Sequence, residues 1–455
     1  LTRYFSITGL GFGDCGKGLF TDALCRLTAA HTVVRFNGGA QAGHNVVTAD
    51  GRHHTFSQFG AGSLSPDVVT ILAEPVAVHP TALLAEARHL SMLGMDRPLE
   101  RIMIDAQCKI TTPFHQSVNR IAESQRTIKH GTCGVGFGQT ARVALDYPDL
   151  ILRYGDLFEE NRALEKLEAI RRTLNQEVRN EQEPNPLMKG EFDLLQDPGA
   201  SQAWMGMIEQ LLSVGKPATK DQVRARLELE GTVVFEGAQG ILLDQDFGFH
   251  PYTTWSDTRP SAAQSVLSEL GITTRIRKLG VARSYLTRHG PGPFPTEDER
   301  LDGLAEPHNS AAGWQGRFRR GHPDGVLLRY AIDASRDLDG LLISHLDYFG
   351  DGRALSWCTG YRLARPLPTG GLVHHALDDD ARVVSFIADA SGGLARQIKL
   401  MKIATAAVPV YEHQAITSPS ALLERFEWTS GLPVLATGSG PSAAFVKSQK
   451  SLLSH

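Results

Sequence analysis

No apolar stretch in the sequence approaches the roughly 20 residues that a membrane-spanning helix needs, which predicts a chain without a bilayer span. The cysteine pattern of a metal centre or a disulfide framework is missing too. The five cysteines are scattered, odd in number and without a CxxC pair, as expected of reduced thiols in a cytoplasmic protein. Charge of one sign is also lacking. Lys and Arg number 46 against 50 Asp and Glu, a net charge of −4, so neither nucleic acid nor an anionic membrane is an expected partner. There are no internal repeats and no low-complexity tail. The opening Leu1-Thr2-Arg3-Tyr4 carries no secretory signal pattern, which predicts no leader. What remains is a chain of 455 residues, 42% hydrophobic, long enough for one large α/β domain over 1–455 with insertions.

Glycine, by contrast, is plentiful. The 45 glycines gather in short loops after apolar runs, where a backbone must approach a ligand closely. The clearest such loop is Gly9-Leu10-Gly11-Phe12-Gly13-Asp14-Cys15-Gly16-Lys17-Gly18, followed by Gly38-Gly39-Ala40-Gln41-Ala42-Gly43-His44-Asn45. Gly11, Gly16 and Lys17 fit the phosphate-binding spacing, but Gly18 stands where a magnesium-binding Ser or Thr belongs. Backbone N–H groups and Lys17 can still hold phosphate oxygens. Asp14 places a carboxylate inside that loop, which is costly beside phosphates unless a metal or a proton transfer uses it.

Periodicity predicts strands at Tyr4–Thr8, Thr32–Phe36, Arg101–Ile104, Thr232–Glu236, Leu279–Leu286, Gly340–Leu346 and Pro433–Ala436. Helices are expected over Gly16–Leu27 and from Pro80 through Leu90. Strand, glycine-rich turn, helix, strand is the pattern of a large, mainly parallel central sheet. Residues 157–230 are charged and leucine-spaced, which predicts a helical excursion from the same domain, with an exposed loop over Asn180–Pro186.

Several motifs resemble one family. Gly13-Asp14-Cys15-Gly16-Lys17-Gly18 is similar to the Gly-Asp-Glu-Gly-Lys-Gly loop of adenylosuccinate synthetase, and Gln41-Ala42-Gly43-His44-Asn45 to its Asn-Ala-Gly-His-Thr. Phe235-Glu236-Gly237-Ala238-Gln239-Gly240-Ile241-Leu242-Leu243-Asp244 and Gly292-Pro293-Phe294-Pro295-Thr296-Glu297 match two further stretches, in the family's order. The resemblance implies a cytoplasmic, homodimeric, GTP-dependent ligase that joins aspartate to carbon 6 of IMP through a 6-phosphoryl intermediate. It implies Asp14 as the base that takes the N1 proton, His44 as the donor to the phosphoryl group, and Lys17 and Gln239 beside them. Mg²⁺ would be held by Asp14 and the Gly43 carbonyl. GTP would lie on Gly13, Cys15, Gly16, Lys17 and Gly18, with Asp347 reading guanine and Gly438, Gly440 and Pro441 finishing its pocket. Gln41, Thr132, Cys133, Arg142, Gln239, Leu243 and Thr254 would bind the IMP-like nucleotide, Arg142 reaching it from a neighbouring subunit. Gln315, Arg317 and Arg319 would clamp the carboxylate of the amino acid.

The chain also departs from the family pattern. Thr132-Cys133-Gly134-Val135-Gly136 replaces Thr-Thr-Gly-Arg-Gly, Trp314-Gln315 replaces a Thr pair, and His345 replaces a lysine. The departures at Cys133, Val135, Trp314 and Gln315 leave open the same chemistry on a modified purine or deoxynucleotide, or with another amine. A viral branch that uses a deoxyguanylate lacks the loop aspartate, whereas Asp14 is present. A nucleotide-binding regulator without catalysis is a further alternative, disfavoured because binding alone needs no acid–base pair.

Overall fold

Strands buried on both faces need near-continuous apolar runs, and the central ones here have them. Arg3–Gly9 is buried at every position but the first, and Thr232–Glu236, Thr32–Arg35 and Gly340–Ser344 are buried throughout. The computed structural model describes residues 1–181, 186–304, 313–364, 375–377 and 382–453. Its main sheet has ten strands. From edge to edge they are Val446–Ser448, Val434–Gly438, Gly340–Ser344, Arg277–Arg283, Arg3–Gly9, Thr232–Glu236, Thr32–Arg35, Val69–Leu72, Ile102–Asp105 and Pro217–Ala218. All neighbours pair in parallel except the C-terminal edge strand Val446–Ser448, so the expected α/β architecture is present.

Alternation sorts side chains between two layers. Phe5, Ile7, Val33 and Val234 share a core with Phe20 and Leu24 of the helix Lys17–Thr28. Tyr4, Val34, Val233 and Phe235 share the opposite core with Val223, Leu227, Ala263 and Leu267, from helices Lys220–Leu227 and Pro260–Glu269. The excursion comprises helices Glu160–Glu181, Lys189–Gln196, Ala200–Val214 and Lys220–Leu227. Its Leu167, Leu174, Trp204 and Ile208 pack in one core with Phe56, Leu83, Leu90 and Phe114 of the N-terminal third. Those helices thus share one apolar core with the N-terminal third.

Several boundaries differ from expectation. Leu279–Leu286 is two strands, Arg277–Arg283 in the main sheet and Leu286–His289 in a hairpin with Phe318–Gly321. At Ser284 the chain leaves the sheet, and that break points side chains into the cleft described below. Asn180 and Glu181 end a helix and Pro186 starts a 3-10 turn; the rest of the expected loop, 182–185, lies outside the described residues. Sequence periodicity did not reveal the hairpin His44–Val47/His53–Phe56 or the four-stranded sheet of Cys358–Leu363, His375–Leu377, Val383–Phe386 and Ala407–Tyr411. Strands this short, with one solvated face, carry little period-2 signal.

Candidate active site

In open α/β sheets, ligands bind in the crevice beyond the carboxyl ends of the strands. Here a cleft of about 1310 Å³ opens at that edge. The loop after Arg3–Gly9 forms its floor, and Gly13 and Gly16 take φ values of 111° and 91° that only glycine adopts readily. Gly16 caps the helix Lys17–Thr28 without any side-chain hydrogen bond, which leaves the first-turn N–H groups for an anion. Lys17 Nζ donates to the carbonyls of Gly13 at 2.5 Å and Gln239 at 2.6 Å, tying the loop to the turn after Thr232–Glu236. A Cβ on Gly18 would lie 2.9 Å from the Asn45 carbonyl and 3.0 Å from His44 Cβ. The missing Ser or Thr therefore has a packing cause: the hairpin that carries His44 rests directly on this position.

That hairpin brings His44 against the sheet. Its Nδ1 lies 2.7 Å from Glu236 Oε1, and the side chains are 6% and 0% exposed. Glu236 Oε2 accepts from the Ala61 N–H at 2.9 Å, with Arg35 4.0 Å away. Burial pushes the Glu236 carboxyl up, but His44 and Arg35 outweigh it and hold the group below its usual range. Burial lowers His44 to about 4 despite the pull of Glu236, so the ring is neutral near pH 7. An ionised carboxylate only accepts, so the ring proton sits on Nδ1 and Nε2 is left for the cleft.

Asp14 faces the cleft from the loop, and Arg283 Nη1 donates to its Oδ2 at 3.1 Å. Burial raises the Asp14 carboxyl, yet Arg283 above all, with His345, His289 and Lys17, leaves it below the ordinary value. His345 lines the same region; its Nδ1 contacts the Ser344 hydroxyl at 2.7 Å, and that hydroxyl donates to the Cys15 carbonyl at 2.7 Å.

Further along the cleft, Gln41 and Gln239 present both ends of their amides with no protein partner. Buried amides without partners are costly, so their orientation fits a bound base or sugar. Gln239 sits at φ 57°, and its turn is fixed by Asn37, which bonds both the Ala238 N–H and its carbonyl. Thr132 exchanges hydrogen bonds with Asn119, and the Cys133 thiol lies 3.9 Å from the Gln41 carbonyl. Burial pushes that thiol up to about 12, so it stays a weak neutral donor. Leu243 and Thr254 complete this end. Arg142 also lines it, but its guanidinium is engaged within the chain by Glu177 at 2.7 Å and Asp146 at 3.1 Å.

The cleft thus gathers Asp14, Lys17, His44, Gln239, Gly13, Cys15, Gly16, Gly18, Gly43, Gln41, Thr132, Cys133, Arg142, Leu243, Thr254, Gln315, Asp347, Gly440 and Pro441. Three residues singled out in the sequence are not in its lining. Gly438 ends the strand Val434–Gly438, where a Cβ would meet Leu19 at 2.8 Å. Arg317 pairs with Asp302 and Glu299, and Arg319 with Glu297 at 2.7 Å and the Gly292 carbonyl at 2.8 Å. Their acidic neighbours on 292–302 draw both guanidinium groups away from the cleft. Residues to which the sequence reading gave no role do line it: Asn45, Arg283, Arg288, His289 and Trp255. A basic cluster, Arg283 through His289, directly after a buried strand was the available signal. Among the described residues no group of three or more His, Cys, Asp or Glu could hold a metal. Asp14 and the Gly43 carbonyl suit a magnesium carried mainly by phosphate oxygens, which needs only one or two protein ligands. Among the described residues no helix is long and apolar enough to cross a membrane.

A family model described as adenylosuccinate synthetase matches residues 6–384. The adenylosuccinate synthetase of Synechococcus sp. (strain WH7803) is 33% identical over 374 residues, covering 78% of each chain. That of Mycobacterium leprae (strain TN) is 33% identical over 373 residues, 79% of this chain and 80% of that one. Among solved structures, the fully ligated adenylosuccinate synthetase from Plasmodium falciparum has a TM-score of 0.75 at 22% identity, covering 98% of this chain and 100% of that one. The cyanophage S-2L succinoaminodeoxyadenylate synthetase, bound to dGMP and dATP, has a TM-score of 0.60 at 16% identity, covering 98% and 95%. Both likenesses demonstrate a shared fold.

Proposed function

The chain belongs to the adenylosuccinate synthetase family of GTP-dependent ligases, and from that premise we propose that it joins aspartate to carbon 6 of a 6-oxopurine nucleotide, IMP above others, as a homodimer. The observation that carries this reading is the convergence of Asp14, Lys17, His44 and the unpartnered amide of Gln239 in one cleft. Asp14 accepts the N1 proton of the base, so that the 6-oxygen attacks the γ-phosphorus. Lys17 and the helix N-terminus hold the phosphates in line. His44, with Nδ1–H donated to Glu236, takes up a second proton at Nε2 as anionic phosphate arrives and donates it to the transferring phosphoryl group. Asp14 and the Gly43 carbonyl would hold Mg²⁺, which supplies charge neutralisation on the phosphates. The amine of aspartate then displaces phosphate from carbon 6.

Phosphate release that requires GTP, IMP and aspartate together, with adenylosuccinate as product, tests the reading. Absence of release with all three present would overturn it. Two features favour a second reading, the same chemistry on a nucleotide altered at its sugar or phosphate. Cys133 offers a weak thiol donor, and the Arg142 fork is engaged by Glu177. A panel varying sugar and phosphate at constant base separates the two.

A further inference from the structure

Arg283 ends the parallel strand Arg277–Arg283, beside the strand that feeds the phosphate loop. Its side chain is 2% exposed, yet it lines the cleft. Nη1 donates to Asp14 Oδ2 at 3.1 Å, Nη2 donates to the Tyr285 hydroxyl at 2.5 Å, and the guanidinium carbon lies 4.4 Å from the Tyr285 ring centroid. The Asp14 carboxylate and the Tyr285 hydroxyl and ring therefore orient the cation. A guanidinium taken out of water is costly unless excellent partners compensate it, and here the compensating carboxylate is 30% exposed towards the cleft, on the loop that wraps phosphate. The ion pair joins a sheet strand to that loop across 269 positions of sequence. It lines the cleft together with Gly13, Gly16 and Lys17 of that loop, and a planar fork suits phosphoryl oxygens.

We propose that Arg283 is a catalytic residue, whose guanidinium exchanges the Asp14 carboxylate for the phosphoryl oxygens as the phosphoryl group transfers. The proposal rests on the ligase reading above. In the step, the bond from the γ-phosphorus to the GDP oxygen breaks and GDP keeps the electron pair. The bond from the purine 6-oxygen to phosphorus forms, and the N1 proton passes to Asp14. Arg283 makes and breaks no covalent bond. Its N–H groups neutralise the equatorial oxygens while Asp14, released from the pair, turns to the base. Tyr285 keeps the guanidinium in plane throughout.

Steady-state and binding measurements on Arg283→Ala and Arg283→Lys test this. An arginine acting on the transferring phosphoryl group supports a loss of about a thousandfold in kcat for Arg283→Ala, with the KM for GTP and the calorimetric affinity for GTP changed about threefold or less. Guanidine hydrochloride added at millimolar concentration should restore part of that kcat and leave the wild type unaffected. Arg283→Lys keeps the charge without the fork and should lie about tenfold or more below wild type; it carries the test should the alanine variant not fold. Wild-type kcat in either variant, or a loss entirely in the KM for GTP, or no response to guanidine, overturns the proposal. A wild-type protein without GTP-dependent phosphate release overturns the ligase reading and this proposal with it. An active wild type with fully active variants overturns the Arg283 role alone.

Discussion

Glu236 Oε1 lies 2.7 Å from His44 Nδ1, with both side chains buried and only His44 lining the cleft. This contact fixes which ring nitrogen reaches the ligand. The remaining Glu236 oxygen is held by the Ala61 N–H, so the carboxylate cannot turn away. Glu236→Ala should lower kcat about a hundredfold, the low end for a general acid–base group, with nucleotide KM values little changed. In Glu236→Gln the side-chain amide offers either a donor or an acceptor to Nδ1, so the tautomer is no longer imposed. NMR of the His44 ring should show a mixed or inverted tautomer there. Full kcat in both variants would remove Glu236 from the mechanism.

The arginine pair behind the proposed amino-acid site makes a second prediction. Arg317 and Arg319 lie in sequence around the strand Phe318–Gly321, and their guanidinium groups are paired with Asp302 and Glu297. An incoming carboxylate would have to compete for these forks. Arg319→Leu should raise the KM for the amino acid about tenfold or more, with that for GTP nearly constant. Equal changes for both substrates would return the segment to a structural role.

How much of this was legible in the sequence depended on the span of each interaction. Lys17 follows from the phosphate-loop spacing, Asp14 from its place as a carboxylate inside that loop, and His44 from the resemblance of its glycine loop to the family's. Their partners do not follow in this way. Glu236 is 192 positions from His44 and Arg283 is 269 from Asp14, and only the parallel order of the strands brings them together. The central strands were readable because burial on both faces demands continuous apolar runs. Pro217–Ala218, two residues long, has no periodicity to detect. Gly18 was visible as a departure, but its cause, the close approach of Asn45 and His44, is tertiary.

Away from the cleft, Asp324 caps the helix Gly325–Ser335 by accepting from the N–H groups of Val326 and Leu327, and it accepts from the Tyr361 hydroxyl at 2.7 Å. Burial, outweighing those donors, pushes its carboxyl up to about 6. A carboxyl raised in the folded state contributes stability below its unfolded pKa, and this is lost as pH rises through the folded value. The window here runs from about pH 4 to about pH 6. Asp324→Asn keeps an oxygen for the helix N–H groups and cannot ionise. Its Tm relative to wild type should therefore rise between pH 4 and pH 7, by the equivalent of about 2 kcal/mol. A pH-independent difference would refute the assignment.

The last prediction concerns the base of the phosphate donor. Asp347 sits in the first turn after the strand Gly340–Ser344, exposed and lining the cleft. A carboxylate accepts only. Guanine offers it two donors, N1–H and the 2-amino group, whereas adenine has an acceptor at N1 and no amino group at carbon 2. Covering Asp347 with adenine would desolvate the carboxylate without pairing it, at a cost of about 1–3 kcal/mol or more. The wild type should accordingly prefer GTP over ATP by at least about tenfold in kcat/KM. ITP keeps N1–H but lacks the 2-amino donor, so it should fall between them. In Asp347→Asn one side-chain atom becomes a donor, which opposes the 2-amino group but leaves N1–H an acceptor. GTP should lose more than ITP, and the gap between them should narrow. Equal kcat/KM for GTP and ATP in the wild type would mean that Asp347 does not read guanine.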